Sequence, residues 1–230
     1  PKEHTDKAVD LAERLSQCYH YRRRFPREEG IRVRVYRAVR AARPVGDKLR
    51  ETIKDQLISF FEGSSQPDKI IDTYQELLDD YTKHYGPEHP NVIKTLFTLA
   101  ELTRPRPVFV EYYQRIVLAL NKHSSDIKPE ALEPVIIVAT ELWAQARYTD
   151  AVPYFTLLFT TFLNQPKQSP KFQDDTFVQS VFDRYTHCLR NNRTEFAFVH
   201  KVTTEFYNKV KTVFGATATI TIQATLTLAK

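Results

Sequence analysis

The sequence predicts an all-α fold, an array of antiparallel helix pairs stacked side by side, and three observations predict it. The first is an internal repeat. Tyr85-Gly-Pro-Glu-His-Pro-Asn-Val-Ile-Lys-Thr-Leu-Phe-Thr-Leu-Ala-Glu-Leu102 returns, eroded, as Phe214-Gly-Ala-Thr-Ala-Thr-Ile-Thr-Ile-Gln-Ala-Thr-Leu-Thr-Leu-Ala229. The offset is 129 residues, three times 43. A fixed period in that range marks stacked units, each too small to bury its own apolar face. The second is glycine scarcity: five in 230 residues, too few for a hairpin-rich β fold. The third is one well-formed unit at 129–159. An apolar run there ends at Trp143, a short polar turn follows, and Ala151, Val152, Phe155, Leu158 and Phe159 continue at helical spacing. Two such stripes joined by a short turn make an αα-hairpin. The small residues Ala139 and Ala151 mark where its helices approach closely.

Two stretches go further. Gly-Pro-Glu-His-Pro-Asn-Val at 86–92, followed by Leu96 and Leu99-Ala100, resembles the start of helix A in a tetratricopeptide repeat. Tyr148-Thr-Asp-Ala151 resembles the start of its helix B. The closest pattern within that family is the roughly 42-residue kinesin light chain-like variety. The likeness is good over 85–102 and 135–159 and loose elsewhere. It implies a right-handed superhelix, a tetratricopeptide-like α-solenoid whose A helices line a concave groove.

In that register the late helix-A positions are Tyr19, Phe61, Leu102, Leu142 and Cys188. One helical-repeat domain, 1–230, then contains repeats at 4–42, 47–84, 89–122, 129–163 and 173–213, with a partial unit at 217–230. Repeat one pairs helices at 4–22 and 27–42, and repeat two pairs 47–62 with 67–84. Gly63-Ser-Ser-Gln-Pro67 is the turn between the latter pair, with Pro67 suited to a first helical turn. Repeat three pairs 89–103 with 107–122; Pro87 and Pro90 fix its entry loop, and Thr103-Arg-Pro-Arg-Pro107 separates its helices. Repeat four pairs 129–145 with 149–163, and Asn164-Gln-Pro-Lys-Gln-Ser-Pro170 is the longest polar break. Repeat five pairs 173–190 with 194–213. Ala216 to Leu228 alternates apolar and polar residues like a strand, but the repeat register makes it a helix. Without an initiator Met, and stopping inside an apolar pattern, the chain reads as a fragment of a longer protein.

Composition narrows function by exclusion. There is no run of apolar residues long enough to span a bilayer and no secretory leader at Pro1-Lys-Glu-His. Cys18 and Cys188 stand alone, read as two buried thiols of a cytoplasmic or nuclear protein. Asn192-Arg-Thr194 fits a glycosylation sequon, too short a match to weigh against that compartment. No glycine-rich phosphate loop, GxSxG, HExxH or CxxC pair is present. Glu88-His89 has no second ligand pair, so no metal or other cofactor is expected. Asp79-Asp80 and Asp174-Asp175 read as solvated or capping acids, and Tyr112-Tyr113 and Tyr154-Phe155 as helix-B core. The reading is not an enzyme but a scaffold or adaptor.

Two surfaces are candidates. The resemblance assigns ligand-facing slots to Lys94, Phe97, Glu101 and Arg104; to Glu133, Ile136, Thr140 and Trp143; and to Gln179, Phe182, Thr186 and Leu189. Phe97, Ile136, Trp143 and Phe182 are the expected anchors for an extended or helical peptide. The asparagines that clamp ligand backbones in peptide-binding members are replaced here by Phe97-Thr98 and Ile136-Ile137, so kinesin cargo binding does not carry over. The co-chaperone clamp is likewise not visible. The second surface is basic. Residues 22–50 hold eleven cationic side chains against three acidic ones, net +8 beside +5 for the chain, leaving the rest net −3. Arg22, Arg23 and Arg24 open the segment. Arg34, Arg37 and Arg40 form one helical stripe opposite a buried one of Ile31, Val35, Val39 and Ala42. The stripe reads either as a solvated face or as a site for an acidic peptide, a phosphorylated segment or a nucleic-acid backbone. The leading partner is thus a protein or peptide, acidic where it meets the arginines. A nucleic acid bound by the basic repeats is the alternative, and self-association through the open C-terminal end is a third.

Overall fold

The computed structural model describes residues 2–104, 106–121, 127–167, 169–192, 194, 196–216, 218–221 and 224. These form helices joined by turns and short irregular connections, with no strand among the described residues. Backbone contacts divide the chain into two compact units, Pro1–Thr103 and Arg104–Lys230.

The first unit holds α1 (Lys2–Tyr21), α2 (Phe25–Ala42), α3 (Lys48–Gly63), α4 (Pro67–Tyr85) and α5 (Pro90–Leu102). Each packs on the next in sequence, as expected when short turns reverse the chain. His20 Nδ1 meets Glu28 Oε2 at 3.0 Å at one end of the α1–α2 pair, and Arg43 bonds Asp6 at the other. The two helices are therefore antiparallel. Tyr81 Oη donates to Glu51 Oε1 at 2.9 Å, joining the end of α4 to the start of α3. The second helices of the two pairs, α2 and α4, run in the same direction. Lys69 bonds Glu29 near their starts, and Arg40 Nη2 donates to Asp80 Oδ1 at 3.0 Å near their ends, both across 40 residues. A constant offset along two parallel helices is a helix-pair repeat written in contacts.

The core of this unit joins Val9, Tyr36, Val39, Ile53, Leu57, Ile58, Phe61 and Ile70. On α5, Val92, Leu96, Leu99 and Ala100 are buried. Its helix starts are fixed locally. Asp47 accepts from the Leu49 and Arg50 amides at 2.9 and 3.4 Å, and His89 Nδ1 accepts from the Asn91 amide at 3.2 Å. Pro67 and Pro90 occupy the first turns of α4 and α5, where their missing N–H costs nothing.

The second unit holds α6 (Phe109–Asn121), α7 (Leu132–Ala144), α8 (Tyr148–Asn164), α9 (Asp175–Asn191) and α10 (Phe196–Phe214), with 3₁₀ turns at Pro129–Ala131 and Pro170–Gln173. Neighbours again pack in order, and α7 also touches α9 while α8 touches α10. Ala139 and Ala151 are both fully buried. An aromatic cluster fills the centre: Phe182 stacks on Phe206 at 3.7 Å and 3°, with Phe155, Phe159, Phe162 and Tyr185 around them. Tyr112, Tyr113 and Phe155 are buried as expected. Asp174 starts α9 by accepting from the Thr176 and Phe177 amides.

The turn between paired helices recurs in four places. Arg24, Gln66, Arg147 and Thr194 amides bond the carbonyls of Tyr19, Phe61, Leu142 and Leu189, five residues back, at 2.9, 2.9, 2.9 and 3.1 Å. Arg23, Ser65 and Ala146 supply the left-handed residue at φ 53°, 53° and 58°. This is the six-to-one bond of a Schellman ending. Tyr19, Phe61 and Leu142 are themselves register positions from the sequence, so the period is visible in backbone geometry. In the strand-like stretch after Phe214, Gly215, Ala216 and Ala218 are turn or irregular backbone and Thr219–Thr221 and Ala224 are helical; positions 217, 222, 223 and 225–230 lie outside the described residues.

Candidate functional site

The expected ligand-facing positions separate into three groups. Phe97 is half-buried on α5, and Lys94 and Glu101 are exposed, all in the first unit. Arg104 lies past the end of α5, in the second unit, with its guanidinium over the Phe109 and Tyr113 rings at 5.5 and 5.8 Å.

Two of the remaining positions line a cleft of about 590 Å³ in the second unit, and the others do not. Trp143 from α7 forms one wall, Thr176, Gln179, Asp183, Arg184 and His187 from α9 another, and Thr219 and Ile220 close one end. Trp143 and Gln179 line it. Phe182 does not: it is 1% exposed and stacked under Phe206. Thr186 and Leu189 are buried as well, and so is Ile136. Thr140 turns inward along its own helix, its hydroxyl donating to the Ile136 carbonyl at 2.8 Å. The cause is helical phase. Val178, Phe182, Tyr185 and Leu189 step by four, three and four and form the buried stripe of α9, so the face turned to the cleft is Thr176, Gln179, Asp183 and His187. The late slots on this helix sit one residue further on than the register placed them. That stripe was readable from apolar spacing alone.

Around Trp143 the side chains are mutually fixed. Arg184 lies over the indole at 5.0 Å, a favourable cation–π placement. The indole Nε1–H donates to His187 Nδ1 at 3.3 Å. Tyr148 meets the His187 ring edge-on at 5.0 Å. Along the α9 wall Gln179 donates through Nε2 to Asp183 Oδ1 at 2.7 Å. Its buried Oε1 has no hydrogen-bond donor among the described residues. With Asp175 and Asp183 against Arg184, the lining combines an aromatic wall, an orphan acceptor and a slight excess of negative charge.

The basic segment splits by role. Arg40 binds Glu76 and Asp80 of α4, Arg50 binds Asp80 and the Arg40 and Arg43 carbonyls, Arg43 binds Asp6 and Asp47, and Arg32 binds Glu28. Arg40 thus leaves the expected exposed stripe and becomes a tie between repeats. Half-burial pushes the Asp80 carboxyl up, but the hydrogen bond and charge of Arg40, with Arg50 beside it, hold it below its ordinary 3.8. Asp80 is accordingly part of an ion network and not the solvated acid expected. Burial pushes the adjacent Tyr36 phenol up to about 12. Arg22, Arg23 and Arg24, on the α1–α2 turn, and Arg34 and Arg37, on α2, are exposed. Of the buried stripe, Ile31 and Val39 are in the core, Val35 is half-buried, and Ala42 at the helix end is exposed.

Cys188 is buried, which pushes its thiol up to about 11. Cys18 is exposed, against expectation, because α1 has helix packed on one side only within its unit. Among the described residues no three of His, Cys, Asp and Glu come together as metal ligands, and no helix is long and apolar enough to cross a membrane.

No protein-family model matches the chain, and no curated protein matches it. Among solved structures it is similar to a putative kinesin light chain with nearly identical TPR-like repeats from Podosopora anserina, at 11% identity and a TM-score of 0.47, over 89% of this chain and 96% of that one. The Q17M form of that protein aligns at 12% identity and 0.46, over 91% and 97%. BtubC (BKLC) from P. vanneervenii aligns at 13% and 0.43, over 100% and 83%. Identities this low carry no ligand or partner to this chain, whose site has to be read from its own side chains.

Proposed function

We propose that this chain is a non-catalytic interaction scaffold that docks a peptide segment of a partner protein in the cleft beside Trp143. The observation that carries the reading is Gln179 Oε1, a buried acceptor without a donor among the described residues, on a side chain that lines an open cleft. Such an atom costs about 1–3 kcal/mol until a donor reaches it, and a peptide N–H is a donor of the right kind. Trp143 supplies apolar area held in one orientation by Arg184 and His187, so little side-chain freedom is lost on binding. Asp175 and Asp183 favour a cationic side chain next to the apolar one that covers the indole. A reducing compartment, cytoplasm or nucleus, suits the two free thiols.

The test is selection from a displayed peptide library, followed by anisotropy titration of the enriched peptides. Enriched sequences should pair an apolar residue with Lys or Arg. Trp143→Ala should weaken them about 30-fold, the scale of an aromatic hot spot, with only a small loss of thermal stability. Enriched peptides that bind the Trp143→Ala protein equally well would remove the cleft as the site.

A further inference from the structure

We infer that the α1–α2 turn of the first unit is a second binding site, and that its ligand is single-stranded nucleic acid. Sorting the arginines by partner isolates the site. Arg32, Arg40, Arg43 and Arg50 are tied to acids within the unit. Arg22, Arg23 and Arg24 form no ion pair among the described residues, and Arg27 and Arg34 lie exposed just beyond them. The two acids nearest in sequence are turned away. Glu28 is fully buried between Arg32 and His20, and Glu29 binds Lys69 of α4, which holds its carboxyl below the ordinary range. The surface is therefore positive without neutralisation.

Two aromatic rings stand among these charges. Tyr21 is 91% exposed and Phe25 45%. Tyr21 makes no ring contact or hydrogen bond among the described residues, while Phe25 is braced edge-on by His20 at 5.7 Å. An uncovered ring next to arginines has little to gain in water, but offers a face on which an unstacked base can lie. The turn is rigid enough to hold this arrangement: Arg23 takes the left-handed conformation, and the Arg23 and Arg24 amides bond the His20 and Tyr19 carbonyls, both at 2.9 Å. Beyond the turn, Arg27 and Arg34 are seven residues apart on one exposed face of α2, about 10 Å along its axis. Gly30 lies between them and leaves that strip bare, since a Cβ there would meet nothing within 4 Å. Arg34 is steadied above the strip by its Nε–H bond to the Gly30 carbonyl at 2.9 Å.

The rings decide between anionic ligands. An acidic peptide would use the arginines and leave Tyr21 idle. Duplex nucleic acid keeps its base faces covered. A single strand uses both, with phosphates on the guanidiniums and bases on the rings.

The experiment is anisotropy titration of the full chain with labelled oligo-U and oligo-dT of twelve nucleotides at 50 and 200 mM salt. Competitors are a duplex, polyglutamate of matched charge and anionic phosphatidylserine vesicles. Five arginine contacts predict a loss of affinity of about 100-fold between the two salt concentrations, from a slope of about 0.7 per phosphate on single strands. Tyr21→Ala should weaken the single strand at least 5-fold and leave polyglutamate binding unchanged. Arg22→Glu/Arg24→Glu/Arg27→Glu should weaken it more than 10-fold while far-UV circular dichroism stays the same. No binding at 50 mM salt overturns the inference. So does equal affinity for polyglutamate, duplex or vesicles, or indifference to Tyr21→Ala.

Discussion

Phe182 and Trp143 are large aromatic residues that both looked like ligand anchors, and their surroundings give them opposite tasks. Phe182 lies face to face with Phe206 in the core. Phe182→Ala should lower the unfolding free energy by about 3–5 kcal/mol, measured by urea denaturation. Trp143→Ala removes a half-buried ring with one weak hydrogen bond and should cost far less. Its position in the cleft was legible, while the neighbouring α9 positions were displaced by one residue. The slots were placed by analogy with a family register, whereas side-chain direction follows the local apolar stripe. Asp80 was harder to read. Its partners Arg40 and Arg50 are 40 and 30 residues away in sequence, and no local pattern reports such a pair. Asp80→Asn should cost roughly 2 kcal/mol at neutral pH by leaving the half-buried Arg40 and the buried Arg50 guanidiniums short of an acceptor. Because the folded-state pKa of Asp80 is depressed, its contribution is fully present above about 3.8 and is lost as pH falls through the lower folded value. The urea midpoint of the wild type should therefore fall more between pH 5 and pH 3 than that of Asp80→Asn.

At the scale of elements, helices were legible because their starts carry their own chemistry. Asp47, Pro67, Pro90 and Asp174 each stand where a first turn needs an acceptor or tolerates a missing donor. Asp47→Ala removes the acceptor for two α3 amides and should cost about 1 kcal/mol. The turns within pairs were less legible, since Arg23, Ser65 and Ala146 are not residues that announce a left-handed conformation. At Ala146 this invites a substitution. A left-handed alanine is strained by roughly 1–2 kcal/mol, and glycine gives back roughly 0.5–1 kcal/mol of chain entropy. Ala146→Gly should thus raise stability by up to about 1.5 kcal/mol in thermal unfolding, while a fall would mean that the turn is not Schellman-like in solution. After Phe214 the β-branched alternation yields to helix at Thr219–Thr221, as a repeat register overriding a weak local preference requires.

Across the whole molecule the same unit is used repeatedly, and each of the two units has its own buried centre: Phe61 and its neighbours in one, the Phe182–Phe206 stack in the other. The period of the sequence made that architecture legible early. The division of the basic segment into structural and uncommitted arginines was not legible, because it depends on which acids the fold brings alongside. The central claim is that a peptide docks against Trp143, and the protein carries its own reporter, since Trp143 is the single tryptophan of the chain. The most direct measurement is the emission of that residue during titration with a library-selected peptide lacking tryptophan. The account predicts a saturable change in Trp143 emission, with a midpoint that moves at least 10-fold in Gln179→Ala. A peptide that binds with unchanged Trp143 emission, or with the same affinity in Gln179→Ala, would contradict it.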